Sequence, residues 1–588
     1  MQPNAFKPLF SLLSREFALA QPAETIESDV LIVGAGGAGL RAAIASLDAG
    51  ANTVILGKTL AGKAHTVMAE GGINAALGNL DPQDSWLVHA KDTMEEGINL
   101  SDWRIVEKMC REAPQAISEL ESYGAIFDRT PDGKIMQRPF GAHTYRRTCH
   151  IGDMTGLEMM HVLVEQVQKR NGRLIDEVYL TDLLVDGNRC VGAVGYDLKK
   201  GKLLQFNARA VILATGGYAR AYKRNSNAWE NTGDGIAMAY HVGAILMDLE
   251  MLQFHPTGMI WPPSASGILV TESVRGEGGL LFNAKGERFM PKYDAKRLEL
   301  SARDVVARAI YNEILAGRGT EHGGVWLDVT HLPAEKILKK LPRMHKQFLE
   351  YAGVDITKEK MEVAPTAHYA MGGIKVDPAT NRSNVLGLFA VGEVSAGVHG
   401  GNRLGGNSLT ELLVFGKQAG QAAAAYALQQ SPAKPDAKQV EEKLAQITAP
   451  LERREGVKPA ELRDRIREAM WKGVGVKRTE TGLKQAIAEL EAVKALAPSM
   501  KVSGSLVYNQ DLNTAMDVRN MLVAAEATAR AALYREESRG AHYREDFPET
   551  NDGVWRVNIV MSKGFKGFNL SVYPVPRPEG ELAKAIKW

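Results

Sequence analysis

At 588 residues the chain is too long for a single hydrophobic core, and at ~150 residues per domain it implies about three or four domains. Apolar and charged fractions are those of an average soluble protein, and a formal charge of +2 leaves no strong field to recruit nucleic acid or anionic lipid. The cysteines, Cys110, Cys149 and Cys190, form no Cys-x-x-Cys pair, which speaks against a disulfide framework, an iron–sulfur site or a zinc site and fits a reducing compartment.

The N-terminal stretch has its apolar part broken by Arg15 and Glu16, which makes it a poor signal peptide. No run approaches the ~18 consecutive apolar residues of a membrane helix, so the chain itself is expected not to cross a membrane.

The first strong pattern begins at Val30-Leu31-Ile32-Val33. It continues through the loop Gly34-Ala35-Gly36-Gly37-Ala38-Gly39, a helical stripe of Leu40, Ile44 and Leu47, and then Thr53-Val54-Ile55-Leu56. This reads as strand, loop, helix, strand. Gly34 suits the tight turn, Gly36 lets backbone approach a pyrophosphate, Gly39 permits close helix packing, and the helix N-terminus offers free N–H groups to the anion. A conventional NAD site places an acid about 20 residues past this loop to hold the ribose. Here the second strand runs into Gly57-Lys58, which argues against NAD and leaves Lys58 at the cofactor site.

Ala64-His65-Thr66-Val67-Met68-Ala69-Glu70-Gly71-Gly72 follows shortly after. Much later, Ala210-Val211-Ile212-Leu213-Ala214-Thr215-Gly216-Gly217 is a buried strand entering a small-residue turn, and Gly387-Leu388-Phe389-Ala390-Val391-Gly392-Glu393 supplies an acid. Three such segments spread over much of the chain suggest FAD in a Rossmann-like domain interrupted by an insertion.

Between and beyond the last two lie Thr232-Gly233-Asp234-Gly235, Gln253-Phe254-His255-Pro256-Thr257-Gly258, Thr271-Glu272-Ser273-Val274-Arg275-Gly276 and Ala302-Arg303-Asp304. Pro365-Thr366-Ala367-His368-Tyr369 and Asn402-Arg403-Leu404-Gly405-Gly406-Asn407-Ser408-Leu409 complete the series. His89, His143, His161 and His241 show no metal-ligand spacing, and no catalytic metal site is read. After the Pro- and Lys-containing stretch 431–438, stripes at Leu462, Ile466 and Met470, at Leu483, Ile487 and Leu490, and the Ala-rich run from Leu512 to Arg535 read as a three-helix bundle. Pro450 and the region Gly473 to Gly475 act as breakers, and Trp555 to Val560 reads as a strand.

These segments, in this order, resemble the flavoprotein subunit of the succinate dehydrogenase and fumarate reductase (complex II) family over nearly the whole chain. The resemblance implies an α/β architecture: a Rossmann-like FAD-binding domain (26–250 and 364–430) with an inserted α+β capping domain (251–363). A three-helix bundle domain (431–545) and a small C-terminal domain (546–588) follow, after an N-terminal extension (1–25).

It also implies that His65 bonds covalently to FAD, with Thr66, Gly71 and Gly72 beside it, and that Asp234, Glu393, Ser408 and Leu409 contact the cofactor. His255 and Thr271 are implied to hold one carboxylate of the substrate, and His368 and Arg403 the other. Two histidines, a hydroxyl and several arginines on glycine-rich loops are what a dianion of succinate's size requires, because arginine grips a carboxylate bidentately and histidine and threonine add directed donors. Arg303 is implied to be the proton-transfer residue, with Glu272 and Arg275 relaying protons to it.

The expected function is therefore interconversion of succinate and fumarate, with succinate oxidation preferred. With no cluster cysteines and no membrane span, a partner must carry the electrons away, and the resemblance implies an iron–sulfur subunit seated on membrane anchor subunits that reach quinone, with the chain expected at the inner face of a membrane as a peripheral protein. Glu70, where fumarate reductases often carry Glu and succinate dehydrogenases Gln, leans toward reversibility. A quinol:fumarate reductase running in reverse is the alternative, and a soluble L-aspartate oxidase is disfavoured by His65.

Overall fold

The computed structural model describes residues 21–432, 434–565, 567–586 and 588, so most of the expected N-terminal extension lies outside the described residues. Its organising element is a seven-stranded sheet in which Glu24–Val33 lies between Thr53–Leu56 and Leu203–Leu213, parallel to both. Arg173–Ile175 extends one edge, and Leu388–Ala390 returns from far along the chain to pair in parallel with Leu203–Leu213. The antiparallel strands Val178–Asp186 and Arg189–Asp197 complete the other side. Val30, Leu31, Ile32, Val211, Ile212 and Leu213 are fully buried, as expected of central parallel strands covered on both faces.

Helices Gly37–Asp48 and Asn407–Leu428 pack together over one face. Small residues allow the close approach: a Cβ at Gly420 would lie 2.2 Å from the Ala42 carbonyl oxygen.

The insertion is an antiparallel sheet of Leu252–Met259, Met361–Ala370, Val325–Asp328 and Leu280–Phe282, with its own apolar cluster around Val306, Ile310, Leu327, Met344 and Phe348. Its first and last strands in chain order, Leu252–Met259 and Met361–Ala370, are neighbours in that sheet, and this sets His255 and His368 side by side.

Helices Pro459–Gly473, Glu480–Leu496 and Gln510–Tyr534 pack on one another as the expected bundle. Their apolar stripes share one continuous core with the seven-stranded sheet. Helix Ala437–Glu452 is an additional element lying against the antiparallel strands; its N-cap Asp436 accepts from Lys438 N and Gln439 N, and Pro450 sits inside its last turn rather than ending it. The C-terminal strand starts later than expected, at Val557, because Asp552–Trp555 forms a helical turn. Its hairpin Val557–Gly564 and Gly567–Pro574 joins Leu246–Met247 and Gly373–Ile374 in a four-stranded sheet, which ties the C-terminal segment to the middle of the chain.

Candidate active site

A cavity runs from the glycine loop to the capping sheet. Gly34, Ala35, Gly36, Gly37 and Ala38 line one end, between the carboxyl end of Glu24–Val33 and the start of helix Gly37–Asp48. Gly34 has φ +116°, and a Cβ there would meet the Ala214 carbonyl oxygen at 2.2 Å. Gly39 does not line the cavity; a Cβ on it would lie 1.9 Å from the Gly34 carbonyl oxygen, so it is the residue that lets helix and loop touch. At Gly36 the nearest such contact is 3.5 Å, to Thr66 Oγ1, which leaves backbone open to the cavity. A phosphate-bearing cofactor fits this cradle, since the N–H groups of the first helical turn need acceptors.

Lys58 and Asp234 also line the cavity, and both are engaged by neighbouring protein groups as well as by each other. Lys58 Nζ donates to Asp234 (2.9 Å), Asp517 (2.9 Å) and Thr232 (3.2 Å), which uses all three ammonium hydrogens. Asp234 Oδ1 accepts from Thr232 Oγ1 at 2.7 Å and Asn520 Nδ2 at 2.8 Å. Asp517 and Asn520 stand on the helix Gln510–Tyr534, whose part in this corner is not legible from its Ala-rich pattern.

His65 opens a short 3-10 turn, His65–Met68, at the cavity wall with Thr66, Gly71 and Gly72. Its Nδ1 accepts from Ala228 N at 3.2 Å, and its own N–H donates to Glu230 at 3.0 Å. Nε2 is therefore the ring nitrogen left for another partner, and burial lowers the ring's pKa to about 4, so the imidazole is neutral. Glu70 also faces the cavity. One oxygen meets Arg343 at 3.0 Å and the other has no partner, and burial pushes its pKa up to about 8, so at pH 7 it is a neutral acid. The negative charge at this position is thereby largely removed. Glu393, whose Oε1 accepts from Ala370 N at 3.0 Å, rises to about 7 for the same reason.

At the capping end His255, Thr271, Glu272, Arg303, His368 and Arg403 line one stretch of wall, with Ser408 and Leu409 nearby. The rings of His255 and His368 lie 5.2 Å apart, and burial holds both neutral, with nearby cations reinforcing the effect. His255 Nδ1 is engaged by Thr257 backbone and His368 Nδ1 by Ser226 Oγ at 2.8 Å, so each keeps Nε2 free. The Thr271 hydroxyl meets Ser273 Oγ at 3.3 Å.

Arg303, the first residue of its helix, donates Nε and Nη2 to Glu272 Oε2 at 2.8 Å each and Nη1 to Gln253 at 3.1 Å. Burial favours protonation of Glu272, but Arg303 and Arg275 outweigh it, and the carboxylate is held well below its usual range. Gly141 N donates to its other oxygen at 2.9 Å. Arg275 does not reach the cavity; it stands behind Glu272 at 3.8 Å, fully buried, with Nε and Nη2 unpartnered. The three form an alternating row, Arg303, Glu272, Arg275, leading away from the cavity.

Two further residues support this wall. Gln253 accepts with one oxygen from both Arg303 and Arg403, at 3.1 Å each, and donates to Asn402 at 2.7 Å. The signal was its spacing: two residues before His255 on a strand, it shares that residue's face. Tyr369, next to His368, places its ring against Arg403.

Among the described residues no group of three or more His, Cys, Asp or Glu could hold a metal ion, and no helix is long and apolar enough to cross a membrane.

The chain matches the FAD binding domain family over residues 29–409 and the fumarate reductase flavoprotein C-terminal family over residues 463–578. It is 48% identical to a fumarate reductase (CoM/CoB) subunit of Methanothermobacter marburgensis, across 92% of this chain and 98% of that one. It is 42% identical to the succinate dehydrogenase flavoprotein subunit of Rickettsia bellii, across 90% and 92%. Among solved structures, Mycobacterium smegmatis Sdh1 in complex with UQ1 superposes with a TM-score of 0.85 at 46% identity, covering 94% of this chain and 95% of that one.

Proposed function

The chain belongs to the succinate dehydrogenase and fumarate reductase flavoprotein family, and from that premise we propose that it is the catalytic flavoprotein subunit of a succinate:quinone oxidoreductase. The observation that carries this reading is the wall of the cavity opposite the dinucleotide cradle. It offers Arg403 without a carboxylate partner, Arg303 held by Glu272, two neutral histidines with free Nε2 atoms, and the Thr271 hydroxyl, all within one stretch. Such a set binds a small dianion at both ends and orients its central carbons.

FAD supplies the two-electron chemistry when bound. His255 and Thr271 grip one carboxylate, and His368 and Arg403 the other. Arg303 moves the proton at the substrate carbon. Glu272, which Arg303 holds with two nitrogens, takes the proton onward, and Arg275 stands beyond it.

His65 Nε2 is the attachment atom for covalent FAD, and Lys58 acts through Asp234 rather than on the cofactor's phosphates. We assign residues 26–250 and 364–430 to the FAD domain, 251–363 to the cap, 431–545 to the helical domain and 546–588 to the C-terminal unit. Electrons leave to an iron–sulfur subunit seated on membrane anchors at the inner face of the membrane. The relatives' names, which are those of subunits, support this.

A second reading has a specific observation behind it: the 48% identical relative is a fumarate reductase named for CoM and CoB, which favours fumarate reduction with a thiol couple as the electron source. The two are separated by assaying the purified holoenzyme in both directions, with quinone and thiol couples in turn. Flavin fluorescence on a denaturing gel, followed by mass mapping around His65, tests the attachment. Succinate-dependent bleaching of the flavin tests the site, and absence of bleaching together with absence of fumarate reduction overturns the dicarboxylate reading.

A further inference from the structure

Arg403 and Arg478 are the exceptions among the deeply buried arginines, and of the two only Arg403 lines the cavity. Arg147 is held by Asp84 and Asp92, Arg535 by Glu250 and Glu537, and Arg303 by Glu272, whereas Arg403, 3% exposed, has no carboxylate within ion-pair distance among the described residues. A guanidinium taken out of water without compensation is costly. Its compensation comes from the side: the guanidinium centre lies 4.4 Å from the centroid of the Tyr369 ring. The Tyr369 hydroxyl donates to Glu411 Oε2 at 2.8 Å, and His399 Nε2 meets the same oxygen at 2.9 Å. All three are buried; Tyr369 lines the cavity, and Glu411 and His399 stand behind it.

We propose that Tyr369, Glu411 and His399 are positioning residues that stabilise the charge of Arg403 through the face of an aromatic ring, so that its N–H groups stay free for a substrate carboxylate. The proposal rests on the dicarboxylate reading of the site. A phenol that donates to a carboxylate gains electron density in its ring, which strengthens attraction for a cation over the face. A carboxylate placed directly on Arg403 would instead occupy the in-plane fork that a bidentate ligand needs. Of the five guanidinium donors, Nη1 meets Ser408 at 3.1 Å and Nη2 meets Gln253 at 3.1 Å, which leaves three, and Nε has no partner at all. His399 supplies Glu411 with a second donor and fixes its orientation.

The arrangement has a signature in pH. Burial, with Arg303 adding to it, brings Arg403 down to about 9, against the opposing pull of Tyr369, Glu393 and Glu272. His368 and His399 are the other titratable groups that feel Arg403, and Tyr369, His399 and Glu393 are those around Glu411. Weakening the ring's hold therefore lowers the pH at which Arg403 loses its proton and its anion.

The test is malonate binding to the holoenzyme between pH 6 and 10, read from the flavin spectrum, for wild type, Tyr369→Phe, Tyr369→Leu and Glu411→Gln. Near neutral pH the expected loss is roughly threefold for Tyr369→Phe and Glu411→Gln and roughly tenfold for Tyr369→Leu, with the alkaline fall-off moving to lower pH in the same order. A purely structural role lowers thermal stability and leaves that fall-off where it is; an unmoved fall-off in Tyr369→Phe and Tyr369→Leu overturns the proposal, whatever the behaviour of Glu411→Gln. If wild type itself binds no malonate, the dicarboxylate reading fails first and the proposal with it.

Discussion

Replacing Arg303 by lysine keeps a positive charge and removes its geometry. The arginine reaches Glu272 with two nitrogens at 2.8 Å and Gln253 with a third at 3.1 Å. A lysine ammonium is a single point that can satisfy Glu272 or Gln253, and it cannot hold a second, fixed donor toward the cavity. Two of three contacts are lost. At about 1.5–3 kcal/mol for each hydrogen bond to a charged group, this removes about 3–6 kcal/mol of positioning from the group that moves the proton. Positioned acid–base catalysis contributes ~10²–10⁴-fold, so kcat for succinate oxidation should fall by about 10³–10⁴. In barrier terms that is about 4–5.5 kcal/mol. Binding should hardly change, because His255, Thr271, His368 and Arg403 remain: the malonate dissociation constant of the holoenzyme should stay within roughly threefold. Steady-state kinetics with an artificial acceptor and a malonate titration measure the two quantities on one preparation. A kcat within tenfold of wild type, or a malonate affinity that falls in parallel with kcat, would refute the proton role.

His65→Ser should leave FAD bound without a covalent bond, extractable by acid, with a lower midpoint potential in spectroelectrochemical titration; flavin retained on a denaturing gel would move the attachment elsewhere. Gly39→Ala should reduce FAD content and melting temperature together, since its Cβ would stand 1.9 Å from the Gly34 carbonyl oxygen and overpacking of this kind costs about 1–3 kcal/mol; unchanged flavin occupancy would contradict the close-packing role. Glu96, buried beside Asn402 and Asp304, has its pKa raised by burial from the ordinary 4.5 to about 8. The folded chain holds this proton more tightly than the unfolded one, so the stability it contributes is fully present below pH 4.5 and is lost as pH rises toward about 8. Glu96→Gln should therefore gain melting temperature relative to wild type as pH goes from 6 to 9; a difference that is constant with pH would contradict the buried neutral acid.

Much of the cofactor half was legible because its determinants are local. The strand, glycine loop and helix from Val30 to Leu47 sit where the pattern placed them, as do the segments around Leu213 and Ala390. The wall residues were legible as an ordered set of motifs, and the cavity gathers them apart from Arg275 and Gly39, whose places lie one layer back. Helix Ala437–Glu452 carries Val440, Leu444, Ile447 and Leu451 at helical spacing, and it escaped because Pro450, which sits inside its last turn, reads as a breaker. Asp517 and Asn520 escaped because nothing within an Ala-rich helix marks a polar residue as facing a site more than 270 positions away; the Asp517 to Lys58 and Asn520 to Asp234 contacts span 459 and 286 residues.

Backbone-scale features were determined by sequence alone: where the chain turns, where glycine admits a close approach, and which residue types are available at the wall. Those depend on a few neighbouring residues and on steric rules that hold in any context. Charge states were decided by the tertiary structure. Glu70 is a neutral acid, Glu272 a firmly ionised one, and Arg403 rests on an aromatic ring instead of a carboxylate, although nothing in the local sequence of any of the three distinguishes them. The state of a buried ionisable group is set by lost hydration and by partners within a few ångströms, and the fold brings those partners together from distant parts of the chain.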